Sequence, residues 1–104
     1  MSIQNTLLPG SSQTSVYNSS GDSAVTTIFI CNTSTTDDVI CSLYIKPNGE
    51  TLAEKHRIIK DLRLIRADTF VFGQERILLS DGDEILAFAD TADKIAVTIS
   101  YTSI

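Results

Sequence analysis

Four groups of residues have side chains that could do chemistry. The first is His56, the only histidine in the chain. Nucleophilic catalysis by Ser or Cys needs such a base, held by a carboxylate on its far nitrogen. Its sequence neighbours are Lys55 and Arg57. Two cations favour a neutral imidazole but do not orient it. A solvent-facing histidine beside a turn is expected, and no catalytic residue is assigned. The second group is Asp81-Gly82-Asp83, followed by Asp90 and Asp93. Carboxylates around a flexible glycine suit Ca²⁺, but the EF-hand spacing and its closing Glu are missing. Ordinary turn use is the simpler reading, and no metal is assigned. The third group is Cys31 and Cys41. Without a second cysteine pair or a histidine at ligand spacing they do not make a zinc site. The fourth is a basic cluster. Lys55, Arg57, Lys60, Arg63 and Arg66 are five of the eight Lys and Arg, within twelve positions of an acidic chain. On a strand, Arg57 and Arg63 project to one face. Arg57, Arg63 and Arg66 are therefore candidate protein-contact residues for an acidic neighbour, such as another copy. Charge of this kind also guards an edge strand against aggregation. The five glycines are isolated and none precedes Lys-Ser or Lys-Thr, so no phosphate loop and no cofactor is expected.

The elements that position these groups read as strands. Gln13 to Asn18 is a first short strand. Ser23 to Asn32 is β-branched and apolar, and Asp38 to Lys46 alternates, with Val39, Cys41, Leu43 and Ile45 on one face. Paired as a hairpin, these two strands place Cys31 opposite Cys41, Phe29 opposite Leu43 and Thr27 opposite Ile45. That register puts both cysteines on the buried face, with Cβ atoms roughly 5 Å apart. Lys46-Pro47-Asn48-Gly49-Glu50 is a turn, because Pro presets φ and Asn-Gly accepts positive φ. Residues 51–66 suit a helix as well as a strand. In a β-rich chain a strand over about 57–65 is preferred, after a loop or one helical turn, with Ile58, Leu62 and Leu64 on its inner face. Thr69 to Phe72 is a strand, and Gln74 to Leu79 a helical turn or a strand. Glu84 to Ala89 and Lys94 to Ile104 are strands. In the last, Ile95, Val97, Ile99 and Tyr101 point inward, and Ala96, Thr98, Ser100 and Thr102 outward. Residues 1–12 show no sustained period and read as an N-terminal arm, either a frayed terminus or a segment that orders against a neighbour.

Seven or eight strands at this spacing predict an all-β fold. Residues 13–104 are expected to form one small antiparallel β-sandwich, Ig-like or jelly-roll-like, with a closed barrel as the alternative. A length of 104 residues fits a single domain with one modest core. Ser and Thr together make 24 of those residues, a hydroxyl-rich, β-branched composition that favours strands. A net charge of −5 argues against nucleic acid as a partner. No apolar run approaches membrane-spanning length. The first ten residues lack the charged and apolar regions of a signal peptide, so both cysteines are expected as thiols in a reducing compartment. In that setting Asn18-Ser19-Ser20 and Asn32-Thr33-Ser34 read as turn chemistry rather than glycosylation sites.

Several stretches in order carry a likeness. These are Ala24 to Asn32, the Asp37-Asp38 lead-in, Lys46-Pro47-Asn48-Gly49, Ala67-Asp68-Thr69-Phe70, Leu79-Ser80-Asp81-Gly82-Asp83 and Ala96-Val97-Thr98-Ile99-Ser100-Tyr101. Over residues 16–104 the chain resembles small virion structural proteins of tailed bacteriophages, particularly phages of aquatic bacteria. An Ala-Asp-Thr turn before a strand, a Leu-x-x-Gly-Asp turn and a terminal Val-x-x-Ser-Tyr strand are the shared motifs. The segment Glu54 to Arg66 departs from that pattern in being more basic and more helix-prone. The resemblance implies a non-enzymatic virion part, foremost a capsid cement or decoration protein, with a tail, neck or baseplate component as the alternative. It implies a location in the virion, assembled in the host cytoplasm, and a major capsid or tail protein as partner. A homo-oligomer is expected, with a trimer at local three-fold axes as the natural geometry. A receptor- or carbohydrate-binding fibre module is a further reading, weakened by the lack of Trp and by only three Tyr.

Overall fold

Two long stretches free of Gly and Pro supply the central strands of one sheet, Ser23–Asn32 and Ile95–Ser103. The structure, a computed structural model, describes residues 2–10, 12–73 and 77–104. Its strands are β1 (Ser2–Leu7), β2 (Thr14–Asn18), β3 (Ser23–Asn32), β4 (Val39–Lys46), β5 (Arg57–Leu64), β6 (Thr69–Phe72), β7 (Ile77–Leu79), β8 (Glu84–Ala89) and β9 (Ile95–Ser103). A single turn of 3-10 helix, Glu54–His56, precedes β5. All pairings are antiparallel, and they are nested. β4 pairs β5, β3 pairs β6 and β7, β2 pairs β8, and β1 pairs β9. The chain is thus one long hairpin with its tip between β4 and β5. Rolling it up adds the pairs β3–β9 and β4–β8. Two sheets result, in the orders β1-β9-β3-β6 and β2-β8-β4-β5. β6 and β7 follow one another along the same edge of β3, as two halves of an interrupted strand. Eight strands wound in this way form a jelly roll, a β-sandwich, and this decides between the architectures expected from the sequence.

The core lies between the sheets. Val25, Ile28 and Ile30 of β3, Val39, Cys41 and Leu43 of β4, Ile85 and Ala87 of β8, and Ile95, Val97 and Ile99 of β9 fill it. Asn32 is fully buried among them and ties the sheets together at one end. Its Nδ2 donates to the carbonyls of Asp37 (2.9 Å) and Leu64 (3.0 Å), and its Oδ1 accepts from the Ser34 N–H (3.0 Å).

The local turns form as their residues dictate. Gly49 takes φ 86° and the Glu50 N–H donates to Pro47 O. β5 is a strand, Arg57–Leu64, preceded by the helical turn. It carries an irregularity that the sequence period does not show. Asp61 sits at φ 53°, its N–H donates to Ser42 Oγ (3.1 Å), and the register with β4 shifts there. The bulge reverses the phase of the strand. Leu62 and Leu64 point inward as expected, but Ile59 replaces Ile58, which is exposed.

Two expectations are corrected. β3 and β4 do not form a hairpin. β3 pairs β9, β6 and β7 in one sheet, while β4 pairs β8 and β5 in the other. Cys31 and Cys41 therefore lie in different sheets, both as free thiols. β3 carries apolar side chains on both faces, so its period could not choose the inner one. Ile28 and Ile30 face the core, and Phe29 and Cys31 face outward. The second correction concerns residues 1–12, read as an arm. Ser2–Leu7 is an edge strand in register with β9, and Leu8 is buried. Its inward positions are partly polar, Gln4 and Thr6, which hid the alternation. Gln4 Nε2 finds Val16 O at 2.9 Å. Met1, Ser11 and Gln74 to Arg76 lie outside the described residues.

Candidate interaction surface

The groups that could do chemistry are turned upon the protein itself. His56 is buried, not solvent-facing, because residues 50–56 fold back on its ring. Its Nδ1 accepts the Ala53 N–H (2.9 Å), so Nε2 carries the proton and donates to Glu50 Oε1 (2.8 Å). Sequence neighbours suggested no orienting carboxylate, yet Glu50 supplies one from six residues away. Both ring nitrogens are thereby engaged in closing a loop, leaving neither to accept a substrate proton. The His56 bond, with Lys55 adding to it, holds the Glu50 carboxyl below its ordinary range.

Asp81 and Asp83 serve turns. Asp83 accepts from the N–H groups of Asn48 and Ser80, both at 2.9 Å, and Asp81 accepts from the Gly21 N–H at 2.8 Å. Asp90 Oδ1 accepts the Ile40 N–H at the other end of the sandwich. Tyr17, Ser23 and Ser19 form a buried hydroxyl chain. Tyr17 donates to Ser23 (2.9 Å), Ser23 lies 2.7 Å from Ser19, and Ser19 donates to Gly21 O (2.7 Å). These bonds join β2 to β3 and face no base.

The three candidate arginines part company. Arg57 lies across the Tyr44 ring, 5.0 Å from its centre, and its Nη2 donates to Tyr44 OH (2.6 Å) and to Glu54 Oε2 (3.0 Å). Only 18% of its side chain is exposed, so it is an internal strut. Arg63 is open but pairs with Asp38 at 2.9 Å, and Arg66 donates its backbone N–H to the same carboxylate at 3.2 Å. The Arg63 bond, foremost, holds the Asp38 carboxyl below its ordinary range.

The two outer faces of the sandwich differ. On the β4 sheet, Tyr44 and Leu86 point away from the core yet are buried. Arg57 and the turn Glu54–His56 lie over this face, and the half-buried Lys46–Glu84 pair (3.6 Å) closes its end. On the β1-β9-β3-β6/β7 sheet, no described residue covers the outer side in this way. Its rows can be read from the register. Leu7, Ala96, Cys31 and Thr69 form one, Asn5, Thr98, Phe29 and Val71 the next, then Ile3, Ser100 and Thr27, then Thr102, Ala24 and Leu78. Ile3, Leu7, Phe29, Val71 and Leu78 are exposed large apolar side chains. A cleft of about 490 Å³ opens beside Leu78, Thr102 and Ile104. None of the five strands of this sheet contains a charged residue.

Sequence reading placed Ala96, Thr98, Ser100 and Thr102 on the outside. It turned Phe29 and Cys31 inward, and so missed the row they complete. The charge-free run through β3 was the signal available for it. Burial pushes the Cys41 thiol up to about 11, with Asp90 adding to the effect, whereas Cys31 is only half-buried. Compared with family models, with curated proteins and with solved structures, the chain matches none of them.

Proposed function

We propose that the protein is a non-enzymatic structural component of a tailed-phage virion, foremost a cement or decoration protein on the capsid, acting in repeated copies. The observation that carries this reading is the contrast within the molecule. Its one histidine, its turn aspartates and its buried hydroxyls are closed upon themselves, while the described strands of one sheet leave an uncharged face open. A binding part needs broad, rigid surface rather than a pocket with convergent polar groups. The ordered motifs shared with small virion proteins point the same way. A sugar-binding role finds less support, because Tyr17 and Tyr44 are buried and the Tyr101 ring packs tilted against Tyr17, with ring centres 4.5 Å apart. A tail, neck or baseplate position serves the same physical reading. Imaging purified particles with a labelled antibody against the chain tests it. Regular labelling of heads is expected, labelling of tails would select the alternative, and particles without the protein would overturn the proposal.

A further inference from the structure

We propose that the uncharged outer face of the β1-β9-β3-β6/β7 sheet is a self-association surface, and that its occupant is the same face of a second copy. The inference does not depend on the virion reading. Two observations choose this occupant. The first is charge. The chain carries −5, so two copies repel each other across most approaches. The described strands of this face bring no ionised side chain into the contact, so none of their residues has a charge to desolvate when they meet their own image. Its rows mix apolar side chains (Phe29, Val71, Leu7) with threonine hydroxyls, which suits either bare contact or hydroxyl-to-hydroxyl bonds.

The second is area. Four strand widths at about 4.8 Å and nine residues at about 3.3 Å give a footprint of roughly 600 Å² per copy. Stacking two copies buries about 1,200 Å² in total, the lower edge of a stable specific interface. The broad sides of the 40 × 29 × 20 Å molecule allow that contact without obstruction by the thin dimension. Sheets stack face to face at about 10 Å with a small crossing angle, and an isologous contact of this kind closes at two copies. The face thus favours a two-fold pair over the three-fold ring expected from the sequence.

The position of Cys31 supplies a readout. It lies in the row with Leu7, Ala96 and Thr69, while the only other cysteine, Cys41, is buried in the core. The full chain is studied by sedimentation over a range of concentrations, at low and high salt. In parallel, the rate of Cys31 alkylation is followed. A species of twice 11.3 kDa is expected, formed in the micromolar range and undiminished by salt. Cys31 should be alkylated more slowly as the dimer forms. Thr98→Lys should weaken the dimer at least ~10-fold and restore fast alkylation, because it puts an unpaired charge in the contact. Asn5→Lys, on the edge strand, serves as the second variant if Thr98→Lys disturbs the far-ultraviolet circular dichroism. A monomer at every concentration, with Cys31 freely reactive, overturns the proposal. So does an assembly that survives both lysine variants, or one that dissolves in salt and with Arg63→Glu, which would place the contact at the basic strand.

Discussion

Asn32 does at residue scale what a disulfide would do in a secreted protein of this size. It reaches from β3 in one sheet to the carbonyl of Leu64 at the end of β5 in the other, and fixes the 33–37 crossing through Ser34 and Asp37. Replacing it by Leu strands a buried N–H and two carbonyls. Asn32→Leu should cost about 2–4 kcal/mol. That corresponds to a fall in Tm of roughly 10–25 °C, read by circular dichroism, and a loss below ~1 kcal/mol would show that water replaces the amide. Gly82 makes a sharper case than Gly49. Both have φ near 85°. A Cβ on Gly49 meets nothing within 4 Å, while one on Gly82 falls 2.5 Å from the Asn48 side chain. Gly49→Ala should cost about 1 kcal/mol for the left-handed backbone alone. Gly82→Ala should cost more, because Asn48 must move off the turn that Asp83 holds. Equal urea midpoints for the two variants would discard the steric part.

At the scale of elements, β1 closes one edge of its sheet. As an arm it would be dispensable. As an edge strand that pairs β9 along its whole length and leads into buried Leu8, it belongs to the fold. Removing residues 1–8 should lower stability by at least ~3 kcal/mol, from Leu8 burial alone, with the β9 edge exposed in addition. Unchanged urea unfolding of the truncated chain would return β1 to the role of an arm. β4 and β3 likewise set the fate of their cysteines. Cys41, inward on β4, should resist a thiol reagent at neutral pH, and Cys31, outward on β3, should react. Dilute monomeric protein is therefore expected to show one reactive thiol before denaturation and two after.

For the whole molecule, acidity acts through a few pairs. Glu50 and Asp38 are both held below the ordinary values of 4.5 and 3.8, by His56 and by Arg63 respectively. A carboxyl whose pKa is lower in the folded state adds stability above its unfolded value and loses it as pH falls through the folded one. The urea midpoint should therefore be level from neutrality to about pH 5 and decline below it. Both groups lie near the surface, so the contribution of each is small. Glu50→Gln and Asp38→Asn together should flatten the decline, and an unchanged slope would assign it to other carboxyls.

The strands β2 to β6, β8 and β9, the turns and the outer positions of β9 were legible in the sequence, because alternation, Pro-Asn-Gly and Asp-Gly-Asp act through neighbours in the chain, whereas β1 and β7 were not. Before β5 the sequence left a loop and one helical turn both open, and the structure has the turn. What depends on contacts outside the strand period was not. The inner face of β3 is chosen by the β9 and β6 strands on either side of it. The burial of His56 depends on a loop that closes through Glu50. Arg57 became internal because Tyr44 of the neighbouring strand lies beneath it. The rolling of a long hairpin into two sheets decides the first, while the other two rest on a loop closed within six residues and on the strand pair at the hairpin tip. It also divides the charge, leaving β5 with its arginines in one sheet and the other sheet with none. Composition shows how many charges a chain has, but tertiary structure alone settles which face goes without them, since that face is assembled from strands ninety residues apart.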